Sequence, residues 1–89
     1  MSDSETAQKV FEALKQAEQA SPQQALPMLN GLAGLIQGGG EAPMEVEDAR
    51  ASAFLAICEV GKALHRGHPA NGLYASAIDA TERWMQLVK

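Results

Sequence analysis

Placed about 100° apart, as an α-helix requires, the apolar residues between Val46 and Arg66 gather in one sector. Val46, Ala49, Ala53, Ile57, Val60 and Leu64 share it, with Phe54 and Gly61 on its edge. Ala56, Ala63, Cys58 and His65 widen the two sides. The opposite strip holds Ser52, Glu59, Lys62 and Arg66 but also Ala51 and Leu55. So narrow a polar strip predicts a helix with neighbours on most sides. The ends agree. Pro43 suits a first turn, and Glu45, Glu47 and Asp48 set negative charge at the positive end of the macrodipole. Lys62, His65 and Arg66 do the reverse at the other end. Gly67 stands where a left-handed residue closes a helix, and Pro69 stops it.

The same period recurs three more times. From Ser4, a candidate cap, to about Ala20, the residues Ala7, Val10, Phe11, Leu14 and Ala17 form one apolar stripe opposite Gln8, Glu12, Lys15, Gln16 and Gln19. After Ser21-Pro22-Gln23-Gln24, itself a helix-start signal, Pro27 conflicts with a helix interior. Two readings follow: a short turn at 22–26 with the helix starting at Pro27, or one helix kinked at Pro27. The first is preferred, with a helix from Pro27 to Gln37 and Met28, Leu29, Leu32, Leu35 and Ile36 inward. Gly31 and Gly34 beside that face suggest close approach of a neighbouring backbone. After a turn at 67–72, with Asn71 as a possible cap, the last helix carries Leu73, Ala77, Ala80, Trp84, Leu87 and Val88 on one face. Tyr74, Ile78 and Met85 make a second stripe.

These patterns predict an all-α fold: a small antiparallel bundle of four helices, about 4–20, 27–37, 44–66 and 72–88, with the third helix central. Residues 1–89 form a single helical domain with a flexible glycine-rich connector at 38–43. No internal repeat is evident.

Composition narrows the function classes. The chain has 89 residues, sixteen alanines, four aromatics and a net charge of -4. A core built from alanine buries little area, which favours close helix packing or help from a partner. The acidic balance and dispersed Lys and Arg argue against nucleic acid and anionic membranes. A single cysteine fits a reducing compartment. The polar start, MSDSETAQ, is unlike a secretory signal, and no apolar run approaches the ~20 residues of a membrane span. A cytoplasmic protein is expected.

Candidate chemistry is sparse. The glycines at 38–40 lack the Lys-Ser/Thr of a phosphate loop and precede acidic residues. Cys58 and His65 share a helix side two turns apart, and His68 follows Gly67. They are the only candidates for a small-ligand or metal site, and no metal spacing supports one. No nucleophile–base arrangement is legible, so no catalytic residue, no metal ligand and no cofactor is expected, and the chain is read as a non-enzyme. The recognition candidates are Leu55, alone in a polar strip, with Tyr74, Ile78 and Met85, whose stripe widens the last helix beyond a core's apparent need. The expected function is a protein–protein interaction module, as a homodimer or with a protein partner.

Overall fold

The computed structural model describes residues 3–36 and 42–88. It contains four helices: α1 (Asp3–Gln19), α2 (Pro22–Ile36), α3 (Met44–His65) and α4 (Asn71–Leu87). They stand in a square, antiparallel, in chain order. Each helix meets its two neighbours, α1 with α2, α2 with α3, α3 with α4 and α4 with α1. Among the described residues no close backbone approach joins α1 to α3 or α2 to α4. The long dimension of 37 Å matches the longest helix, α3, whose 22 residues rise ~33 Å. Most of the connector expected at 38–43 lies outside the described residues.

The core follows the helical period. α1 contributes Ala7, Val10, Leu14 and Ala17, and α2 contributes Ala25, Leu29, Leu32 and Ile36. Ala49, Ala53, Ile57, Val60 and Ala63 come from α3, and Tyr74, Ala77, Thr81 and Trp84 from α4. Thr81, polar and therefore passed over in the pattern, is buried. Its hydroxyl donates to the Ala77 carbonyl one turn back at 2.8 Å, which satisfies it inside the helix.

The longest helix packs along both α2 and α4, while α1 lies across the diagonal. α3 is therefore one corner of the square, and Ser52, Leu55, Glu59, Lys62 and Arg66 stay exposed. Ala51 and Leu55 gave its sequence the look of an enclosed rod. Alanine carries too little apolar area to demand burial.

α2 departs most from expectation. It begins at Pro22 and runs through Pro27 instead of starting there. Ser21 caps it: its side-chain oxygen accepts the Gln24 N–H at 3.3 Å, and its carbonyl accepts that of Ala25 at 2.8 Å. Pro27 removes only the bond that would have reached Gln23, an exposed residue whose carbonyl water can satisfy. Ala25 and Leu29, buried on either side of it, hold both halves to one core. The expected close approach at Gly31 and Gly34 is absent, since a Cβ at either would meet nothing within 4 Å.

The ends of the other helices add small corrections. α1 already includes Ser4, so that residue is not its cap. Pro43 is the N-cap of α3, its carbonyl accepting the N–H groups of Val46 and Glu47. Ala70, not Asn71, is the N-cap of α4. Gly67 behaves as read from the sequence. At φ 72° it closes α3, with the His68 N–H on the Ala63 carbonyl and its own N–H on that of Leu64, a Schellman arrangement.

Candidate functional site

The four recognition candidates do not form one surface. Tyr74 is 4% exposed and belongs to the core. Its hydroxyl donates to the Ala17 carbonyl at 3.2 Å, tying the start of α4 to the end of α1. Ala17 lies in the last turn of α1 and its carbonyl also accepts the Ala20 N–H at 3.1 Å, so the bond satisfies the buried phenol through the second lone pair of that oxygen. Burial, with the Glu18 carboxylate adding to it, pushes the phenol pKa above its ordinary value. Ile78 and Met85 are half-buried and pack against the core, on the flank of α4 that bears Tyr74. The breadth that marked this helix as having spare area has a simpler origin. A helix at a corner of a square serves two neighbours, and that occupies about half its circumference. Leu55, 63% exposed, sits on the outer side of α3, one corner away from that flank.

A concavity lies elsewhere, along the seam of α2 and α3. It is an open groove of about 490 Å³. Leu29 and Ile57 give it an apolar floor, Leu26 and Ala33 form the α2 wall, and Cys58 and Gly61 form the α3 wall. Lys62, His65 and Arg66 place cationic and imidazole groups at one end. Small residues are the cause. Ala33 on one helix and Gly61 on the other leave a gap that leucines would fill, and a Cβ on Gly61 would meet nothing within 4 Å. A smaller hollow of about 210 Å³ continues the seam toward the start of α3 between Ile36, Ala51, Phe54 and the Glu47–Arg50 ion pair.

Cys58 and His65 thus line one groove, while His68 is exposed in the turn after α3. Seven residues of helix separate the thiol from the imidazole by ~10 Å along the axis, too far for one metal ion or a direct proton transfer. Among the described residues no three His, Cys, Asp or Glu side chains gather as a metal site. Nor is any described helix long and apolar enough to cross a membrane.

No family model, no curated protein and no solved structure matches this chain.

The functional reading therefore rests on the groove and on the face beside it. The sequence pattern missed the groove because it sorted residues by hydrophobicity alone. The available signal was size: Ala33, Cys58 and Gly61 are the small members of two facing apolar flanks.

Proposed function

We propose that the protein is a non-enzymatic recognition module whose working side is the α2–α3 seam and the outer side of α3. The groove carries this reading. It is concave, apolar along its floor and cationic at one end, the combination that seats an amphipathic segment bearing an acidic group. Three features of the neighbourhood add support. Leu55 and Met44 are large apolar side chains at 63% and 77% exposure on α3. Gly61 opens the seam, and Cys58 offers a soft, adaptable wall.

Cys58 supplies the test. A photo-crosslinker attached to its thiol is used to capture partners from native extract, beside proteins that also carry Ala33→Trp, which fills the groove, or Gln16→Trp, on exposed α1. Recognition through the groove predicts capture that Ala33→Trp abolishes and Gln16→Trp leaves intact. Equal capture by all three proteins contradicts it.

A second reading has the groove holding a small anionic ligand beside Cys58 and His65. Its volume of about 490 Å³ falls in the range of small-molecule sites. Native mass spectrometry of protein purified without denaturation separates the two, because a retained stoichiometric small molecule favours this one.

A further inference from the structure

We infer that the outer side of α3 is a face for a second copy of this chain, taken antiparallel. The inference deepens the recognition reading and rests on it. Among the exposed residues of α3, Met44, Asp48, Ala51, Leu55 and Lys62 fall on one line, with the half-buried Cys58 at its edge toward the groove, in steps of four and three. That is the seam spacing of one helix laid along another. Met44 and Leu55 are two of the three large hydrophobic residues that the described fold leaves exposed. Ala51 between them is exposed as well, and Cys58 is half-buried.

Charge then selects the occupant and its direction. The first half of α3 carries Glu45, Glu47 and Asp48 against one cation, Arg50. The second half carries Lys62 and His65, with Arg66 at the C-cap, against one carboxylate, Glu59. Side by side in the same direction, two such helices would oppose like charges at both ends. Reversed, with the twofold axis at Leu55, they bring Asp48 of each copy opposite Lys62 of the other and Leu55 against Leu55. Met44 of each copy then comes against Arg66, at the cationic end of the other copy's α2–α3 groove. The two macrodipoles also run antiparallel. Two ion pairs already sit on this helix, Glu59–Lys62 at 3.6 Å and Glu47–Arg50. The first is exposed on both sides, so Lys62 can turn to a carboxylate of the second copy at little cost.

One helix crossing another buries less than the ~1,600 Å² of a typical stable complex, so the dimer is weak and depends on concentration. Sedimentation equilibrium over a concentration series, at low and high salt, tests it. The wild type should pass from monomer to dimer, with weaker association in high salt. Leu55→Glu should raise the dissociation constant about tenfold or more, the loss of ~1.4 kcal/mol. Asp48→Lys and Lys62→Asp should each weaken the dimer, and the two together should restore it, because the reversed pair is again complementary. All these positions are exposed, and circular dichroism melts check that each variant keeps the fold. Leu55→Gln replaces any Leu55→Glu protein that does not. A wild type that stays monomeric at every concentration overturns the inference, as does a dimer indifferent to Leu55→Glu or a double variant no better than the singles. None of those results touches the groove reading, which the Cys58 crosslinking decides separately.

Discussion

The α1–α4 seam and the α2–α3 seam are made from similar lengths of helix but finish differently. On the first, Val10, Leu14, Ala77 and Trp84 are at or near full burial, and a hydrogen bond from Tyr74 to Ala17 spans the helices. On the second, Leu26, Ala33, Cys58 and Gly61 line an open groove, and α2 tolerates a proline and two glycines with empty space above them. Residue size accounts for the difference. Large side chains meet small ones on the closed side and seal it, as close packing requires. On the open side small residues face small residues. A chain this rich in alanine cannot close every seam. The α2–α3 seam stays open beside a cationic end, while the α1–α4 seam opens at its extremity, in a hollow of about 360 Å³ lined by Asp3, Ser4, Leu87 and Val88.

Substitutions should separate the two sides by sign as well as by size. The largest effect is expected on the closed side. Trp84→Ala removes the bulkiest fully buried side chain and should cost ~3–5 kcal/mol by denaturant titration, enough to unfold much of the protein. The indole N–H has no acceptor within the structure, so its removal offsets that loss only in part.

Tyr74→Phe keeps the ring and deletes the bond to Ala17, for a loss of ~1 kcal/mol. The same residue gives a pH signature. Its pKa is raised in the folded state, so the folded chain holds the phenol proton where the unfolded chain releases it. That contribution is fully present below the ordinary tyrosine pKa of 10.0 and is lost as pH rises from there through the folded value. Wild-type stability should fall above about pH 10 more steeply than that of Tyr74→Phe, when urea midpoints are compared across alkaline buffers.

On the open side the direction reverses. Gly34→Ala and Gly61→Ala place a methyl group in empty space within a helix, and each should raise stability by up to ~1 kcal/mol in thermal melts. A loss at Gly61 would mean that the seam closes in solution. Gln24→Ala, at an exposed site one turn after the Ser21 cap, should change stability by no more than ~0.5 kcal/mol and marks the smallest effect.

Much of this fold is legible from periodicity alone. The core stripes of α1 and α3 follow directly from Val10-Leu14-Ala17 and Ala53-Ile57-Val60, because an amphipathic helix declares its buried side. Gly67 was equally readable, since a left-handed helix end favours glycine. The misreadings have particular causes. Pro27 weakens a helix by a lost bond and a clash with the carbonyl one turn back, and the burial of Ala25 and Leu29 on either side offsets that cost, which the pattern of a single helix does not show. Tyr74 was assigned to a surface because its stripe looked superfluous, yet helix arrangement decides how much of a circumference a core consumes. The groove depends on which flanks of α2 and α3 face each other, a tertiary pairing that hydrophobic spacing in a single helix does not encode.

The contrast between a sealed and an open seam is tested most directly by the native-state reactivity of two thiols. The first is Cys58 in the wild type. The second is a cysteine at the fully buried α4 position in Ala77→Cys with Cys58→Ser. Labelled with a small maleimide under folding conditions, Cys58 should react without global unfolding, at a rate that the stabilising Gly34→Ala leaves unchanged. The cysteine at position 77 should react only as fast as the whole bundle unfolds. Equal dependence of both rates on global stability would contradict an open α2–α3 seam.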